Sequence, residues 1–139
     1  MNGGRVFLAI GALSALVAVA AGAFGAHVAQ ASLSPQTLAV YDTAVRYQML
    51  HAIALCIVAL VDGRTDGARA TTLAGILFIV GTLLFCGALY LHSLAGLRQA
   101  SRFAPFGGAS FMLGWACLAW TALRGRTPRS RTAGTRSPR

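Results

Sequence analysis

The sequence predicts an all-α protein, an integral membrane bundle of four transmembrane helices. Hydrophobic residues make up 56% of the 139 residues and charged residues only 11%, whereas an ordinary soluble domain carries about 25% charged residues. Four apolar stretches are separated by three short polar segments, and six of the twelve arginines lie in the last sixteen residues. We therefore expect a membrane domain over residues 1–123 and a disordered basic tail over residues 124–139.

The first predicted span covers residues 6–28. Val6 to Ala26 is free of charge and, as a helix, would be about 32 Å long, enough to cross a hydrocarbon core of about 30 Å. Arg5 before it and the small residues after it also resemble a secretory signal. The run is longer than the apolar part of such signals and further spans follow, which favours a span that stays uncleaved.

The second predicted span covers residues 38–61 and continues a helix that begins earlier. Ser34 followed by Pro35 is typical of a helix N-cap with proline in the first turn. The first turns are amphipathic, and Asp42 and Arg46 form an oppositely charged i,i+4 pair. We therefore expect this segment to lie at the membrane interface and to enter the second span without a break.

The third and fourth predicted spans cover residues 70–92 and 103–123, and glycine and aspartate predict a tight turn over residues 62–67. Small residues recur every fourth position in the first span, from Gly11 to Ala15 and from Ala18 to Ala26, a spacing that favours close approach of helices. The glycines expected to pack helices together are Gly22, Gly25, Gly87, Gly107, Gly108 and Gly114.

Hydrogen-bonding side chains enter the apolar runs chiefly at one place, the start of the second span. Four alternating spans bring the ends of the first and third spans and the starts of the second and fourth to one face of the membrane. The sequence thus predicts one polar cluster in one leaflet, and its candidate residues are His27, Tyr47, Gln48, His51, Tyr90 and His92.

The distribution of arginine predicts the orientation. With four spans, both termini and the 62–69 turn share one side, which carries nine arginines against three on the other. Because cytoplasmic segments are enriched in arginine and lysine, both termini are expected in the cytoplasm. A basic tail does not form a groove around a fold, so nucleic acid is not an expected partner.

Several motifs stand out along the chain: Gly22–His27, Tyr41 with Thr43–Val45, Tyr47–Gln48 with His51–Ala52, Leu84–Tyr90, and Pro105–Gly108 with Phe111 and Gly114–Trp115. In this order they resemble the DUF423 family of small membrane proteins, whose eukaryotic relatives are called transmembrane protein 256. The resemblance spans Arg5 to about Leu123, whereas the tail falls outside it. It implies four spans in a bacterial inner, or plasma, membrane, and it implies no mechanism because the family's function is unknown.

Three chemical interpretations of the polar cluster find weak support. An ion path would need titratable groups along its length, yet no Asp or Glu lies in a predicted span beyond the interfacial turns. A metal or haem could use His27, His51 or His92, but no His-x3-His pair is present on one helix. His51 with Tyr47 is a thin candidate for enzymatic chemistry. No cofactor, metal or catalytic residue is therefore predicted.

Two interpretations remain. The polar side chains could bond helix to helix in an accessory, scaffold or assembly protein whose partners are membrane lipids and either another membrane protein or further copies of itself. Alternatively, the cluster could bind a lipid, a quinone or another small amphipathic ligand in the outer leaflet. We favour the first interpretation.

Overall fold

The computed structural model describes residues 3–62 and 68–124, and four long helices account for most of them. We name these helices α1 (Gly3–Ser32), α2 (Pro35–Val61), α3 (Arg69–Ala95) and α4 (Arg98–Leu123). Each is long and apolar enough to cross a membrane, which confirms the predicted all-α class with four spans. The tight turn and the basic tail lie outside the described residues, apart from Asp62 and Arg124 at their edges.

The helix starts and ends follow the local sequence. The Ser34 side chain accepts a hydrogen bond from the backbone N–H of Thr37 at 3.3 Å, which confirms the predicted N-cap of α2. Pro35 is the first residue of that helix, where its missing N–H costs nothing. Gly96 ends α3 with φ of 69°, a left-handed conformation that favours glycine.

Three helix segments depart from α geometry, and the sequence analysis predicts none of them. Residues Gly25–Ala29 of α1 and Thr82–Cys86 of α3 are π-helical. Residues Arg98–Phe103, the first turns of α4, form a 3₁₀ helix. A π-turn widens a helix locally and is frequent at functional sites.

Helices α1 and α2 pack closely along a seam of small residues. A Cβ atom added to Gly11 would lie 2.9 Å from the carbonyl oxygen of Ala52, and one added to Gly25 would lie 2.8 Å from the Tyr41 ring. Gly4, Gly11, Ala18 and Gly25 recur every seven residues, the spacing of left-handed packing. Gly22 lies beside this seam, since its added Cβ would be an ordinary 3.6 Å from Val45. The closest contacts thus repeat every seven residues, not every four.

Helices α3 and α4 also meet at glycines, but not at all those predicted. A Cβ on Gly107 would lie 2.5 Å from the backbone nitrogen of Phe85, and one on Gly114 would lie 2.7 Å from the Phe78 ring. The predicted packing roles of Gly87 and Gly108 are wrong. An added Cβ at Gly87 would meet nothing within 4 Å, and at Gly108 only an atom of Phe85 at 4.0 Å, so close approach of the helices does not require glycine at either position.

The bundle consists of a core of α2, α3 and α4, with α1 packed on the outside of α2. Phe7 of α1 is buried and reaches Gly75 of α3, where an added Cβ would lie 2.5 Å from its ring. Only 17% of the most apolar stretch of α1 is buried, against 28–39% in the other three helices. Helix α1 is therefore held mainly from one side.

Candidate functional site: the intramembrane polar network

Gln48 joins three helices through both ends of its amide. Its Nε2 donates a hydrogen bond of 3.1 Å to the backbone carbonyl of Ser14 in α1. Its Oε1 accepts one of 2.8 Å from the Tyr90 hydroxyl in α3. Only 7% of Gln48 is exposed, so α2 presents a buried amide whose polar atoms bond both flanking helices. This satisfies a group that would otherwise be costly to bury.

His51 lies one turn further along α2 and faces a different neighbour. Its ring stacks on Phe111 of α4 with centroids 3.4 Å apart and planes 8° apart. The Trp115 indole N–H donates to Nε2 at 3.2 Å, and Nδ1 lies 2.8 Å from the backbone carbonyl oxygen of Tyr47. His51 is 2% exposed. It is therefore a packing residue between α2 and α4 whose two ring nitrogens are both engaged.

The partners of His51 fix its protonation state in this arrangement. An indole N–H only donates, so Nε2 must accept and carries no hydrogen. A carbonyl oxygen only accepts, so Nδ1 must carry the hydrogen. His51 is thus the neutral Nδ1–H tautomer. Metal ligation, haem ligation or proton transfer by His51 would first have to break one of these two hydrogen bonds.

Tyr47 belongs to an aromatic layer, formed with Phe85 and Phe111, rather than to the hydrogen-bond network. Its ring lies 4.7 Å from that of Phe85 and 6.0 Å from that of His51, measured between centroids. The side chain is 42% exposed, and its hydroxyl makes no hydrogen bond to any residue in 3–62 or 68–124. Tyr47 therefore covers His51 from the lipid side.

His27 and His92 lie apart from these groups. His27 is exposed on the π-helical segment of α1. The Nδ1 atom of His92 lies 2.6 Å from the Ser101 hydroxyl oxygen. The His92 side chain also lines a surface cavity of about 420 Å³ together with Ser34 and Arg98. The six predicted residues thus form no single cluster.

The reason is geometric. Gln48 is the central residue of the 27-residue helix α2, and His51 lies about 60° around the helix axis from it. Gln48 therefore faces α1 and α3, whereas His51 faces α4. Both residues lie within three residues of the middle of α2, close to the middle of the predicted span over residues 38–61.

Sequence reasoning missed four further polar contacts. Tyr41 lies in the amphipathic first turns of α2, and its side chain is buried there with its hydroxyl donating to the Ala21 carbonyl at 2.6 Å. The indole of Trp115 in mid-span was itself a clue, because an indole N–H inside an apolar span requires an acceptor. The other two contacts are small hydroxyl bonds without a distinctive spacing, Ser110 to the Leu77 carbonyl at 2.8 Å and Thr71 to Thr121 at 3.4 Å.

The family assignment now follows from comparison with known proteins. Residues 21–108, which carry Gln48, His51 and Tyr90, match the family described as "Protein of unknown function (DUF423)". The chain belongs to the DUF423 family. The resemblance that its motifs suggest is thereby confirmed. No solved structure matches this DUF423 chain.

Relatives of this DUF423 chain are bacterial membrane proteins of similar length. It is 36% identical to UPF0382 membrane protein YwdK of Bacillus subtilis over 120 residues, which cover 86% of this chain and 98% of that protein. It is 38% identical to UPF0382 membrane protein SAB0533 of Staphylococcus aureus over 114 residues, covering 82% and 92% of the two chains. The protein is therefore a bacterial membrane protein with four spans.

Proposed function

We propose that the protein is an accessory or scaffold protein of the cytoplasmic membrane that associates with another membrane protein. The observation that carries this proposal is the use of the central polar side chains. Gln48 bonds two neighbouring helices through its amide oxygen and one N–H, and His51 accepts from Trp115 of α4 at Nε2 while its Nδ1–H bonds the Tyr47 carbonyl of its own helix. A network of this kind stabilises one helix arrangement, which suits a protein that presents a fixed surface.

The surface best suited to a partner is the outer face of α1. This helix is anchored along one seam to α2, and the side chains opposite the seam are apolar; Leu16 is 65% exposed there. In a membrane such a face meets lipid unless a partner helix covers it, and close helix packing is a main source of association energy in lipid. Membrane lipids are then its partners wherever that protein is absent.

Native mass spectrometry of the protein gently extracted from its own membrane tests this function. We expect a complex with a second, different polypeptide. Leu16→Trp should lower recovery of that polypeptide at least about tenfold, because about 1.4 kcal/mol of lost packing suffices for that factor. The matched control is Met112→Trp on α4, where the replaced side chain is 69% exposed; it should leave recovery unchanged.

Three results would contradict the proposal. They are a protomer without any bound polypeptide, a complex made of copies of this chain alone, and equal loss of the partner in both variants. Thermal unfolding of each variant in detergent checks that the bundle itself is intact, because both substituted positions face away from the core.

We further propose that both termini lie in the cytoplasm, on the arginine asymmetry described above. A green fluorescent protein fused after Leu123 should then fluoresce, whereas alkaline phosphatase fused there should be inactive. Ala95, the last residue of α3, should lie on the other side of the membrane from Leu123. The same two reporters fused after Ala95 should therefore give the reverse result. An active phosphatase after Leu123 would show that the C-terminus lies outside the cytoplasm and would contradict the proposed orientation.

A further inference from the structure

A groove opens between α1 and α3 along one edge of the outer face of α1. It has a volume of about 330 Å³, in the lower part of the range of about 300–1,000 Å³ that small-molecule sites occupy. Leu13, Val17 and Leu83 form its exposed rim, and Gln48 and Leu55 its buried floor. Its remaining lining residues are Ile10, Ser14, Ile79 and Thr82.

Contacts at both ends of the groove fix the positions of the two helices that border it. At one end, Phe7 of α1 packs on Gly75 of α3. Toward the other end, Tyr41 lies edge-on to Tyr90 of α3, with centroids 5.5 Å apart, while its hydroxyl bonds the Ala21 carbonyl of α1. The groove lies between these two contacts, and the π-helical segment Thr82–Cys86 of α3 begins at one of its lining residues, Thr82. The groove is therefore built into the packing of the bundle.

Unused hydrogen-bonding capacity lies inside the groove. Within the described ranges 3–62 and 68–124, the Ser14 hydroxyl has no hydrogen-bond partner. The Gln48 amide has two N–H groups, and only the bond to the Ser14 carbonyl uses one of them among those same residues. Thr82 donates its hydroxyl hydrogen to the Phe78 carbonyl at 2.9 Å, which leaves its oxygen able to accept. The groove thus offers two donors in an aliphatic setting.

The depth of these groups restricts the ligand. Ser14 and Thr82 lie inside uncharged stretches of α1 and α3, each at least nine residues, about 14 Å along the helix, from the nearest arginine or histidine of its helix. A phospholipid carries its polar groups at the edge of a hydrocarbon core about 30 Å thick, so it would place only methylene groups beside these donors. A ligand that uses them must be a molecule that dissolves in the hydrocarbon region and carries a polar oxygen there.

Charge restricts the ligand further. All nine side chains that line the groove are aliphatic or uncharged polar groups, so an anionic lipid would find no counter-charge at this depth. A neutral ring carbonyl is an acceptor only and matches the donors of Ser14 and Gln48. We propose that the groove between α1 and α3 binds the head of a lipid-soluble isoprenoid quinone, with Ser14 as a hydrogen-bond donor to a ring carbonyl.

Binding of menaquinone-2, a naphthoquinone with two isoprenyl units, tests this site. The probe is added to the purified full-length protein in detergent, and native mass spectrometry counts bound molecules. We expect one quinone per protomer at saturation. Ser14→Ala should raise the Kd about fivefold, since one net hydrogen bond contributes about 1 kcal/mol. The removed hydroxyl has no partner in the described part of the chain, so the fold should not change.

Two neighbouring substitutions separate the groove from the rest of α1. Val17→Trp fills the rim and should abolish quinone binding, whereas Leu16→Trp, one residue away and outside the lining, should leave the Kd within twofold of wild type. For recovery of the second polypeptide we expect the opposite order, with a larger loss in Leu16→Trp than in Val17→Trp. Failure of the quinone site and failure of the accessory function are therefore distinguishable.

Four results would overturn the quinone site. Binding without a fixed stoichiometry, or equal binding by the wild type, Ser14→Ala and Val17→Trp, would mean partition into the micelle. Equal affinity for a polyprenol of matched chain length would mean that the ring carbonyl is not recognised. Retention of phospholipid alone, with no quinone bound at saturation, would mean that the groove holds acyl chains.

Discussion

Replacing Gly107 by alanine is expected to lower the free energy of unfolding by about 1–3 kcal/mol, the cost of overpacking a well-packed interface. The added Cβ would lie 2.5 Å from the backbone nitrogen of Phe85 and 2.7 Å from its Cβ. Backbone atoms cannot rotate away as a long side chain can, so α3 and α4 would have to separate. The measurement is reversible unfolding in mixed detergent–dodecyl sulfate micelles, followed by far-ultraviolet circular dichroism.

Gly108 provides a matched control on the same helix turn. An added Cβ there has its nearest neighbour, an atom of Phe85, at 4.0 Å. Gly108→Ala should leave the free energy of unfolding unchanged or raise it by up to about 1 kcal/mol, because alanine is the better helix former. If both substitutions cost the same, the α3–α4 contact described above is wrong in register or in rotation.

The glycine pair shows which part of the fold the sequence could predict. Run length and the absence of charge predict that a helix spans the membrane, because those two properties decide its transfer into lipid. They contain no information on rotation about the helix axis. Gly107 and Gly108 are chemically identical and adjacent, and only the packed structure tells which of them faces Phe85.

The polar residues show the same limit in another form. Gln48, His51 and Tyr90 stand out in the sequence because polar atoms in an apolar helix need partners, and each of them makes a hydrogen bond within the bundle. Two of their partners could not be predicted, because the acceptors at Ser14 and Tyr47 are backbone carbonyls. Every residue carries such a carbonyl, so residue type does not identify the acceptor. His27 and His92 satisfy the same residue-type criterion but lie elsewhere, so composition alone overestimated the cluster.

Local hydrogen bonding was more predictable than tertiary contact. The N-cap at Ser34 follows from two adjacent residues and is confirmed. The π-helical segments at Gly25–Ala29 and Thr82–Cys86 have no comparable sequence pattern. The groove that we assign to a quinone depends on the second of these segments and on contacts between residues far apart in the chain, so it could emerge only from the structure.

His51→Ala is expected to lower the free energy of unfolding by about 3 kcal/mol, near the values for large-to-small changes at buried positions. The change removes a ring that is 2% exposed and stacked on Phe111. It also removes the acceptor of the Trp115 indole. Most of the loss should come from packing, because a hydrogen bond between membrane helices contributes only about 0.6 kcal/mol on average.

His51→Phe separates the two contributions, because it keeps an aromatic ring against Phe111 but loses both hydrogen bonds. We expect it to cost about 1–2 kcal/mol, less than His51→Ala, since the Trp115 N–H then lacks its partner. A double-mutant cycle of His51→Phe with Trp115→Phe should give a coupling energy of about 0.6 kcal/mol. Tyr47→Phe, which removes a hydroxyl without a partner in the described residues, should leave stability unchanged.

The outcome for His51 bears on the function of the whole protein. Loss of stability in His51→Ala with quinone stoichiometry and partner recovery retained would fit a residue that holds α2 against α4. Unchanged stability in His51→Ala would contradict the structural role, and loss of a bound molecule in the same variant would place a ligand at the aromatic layer of Tyr47, Phe85 and Phe111. Because His51 engages both nitrogens and a stacked ring within the chain, the structural outcome is the expected one.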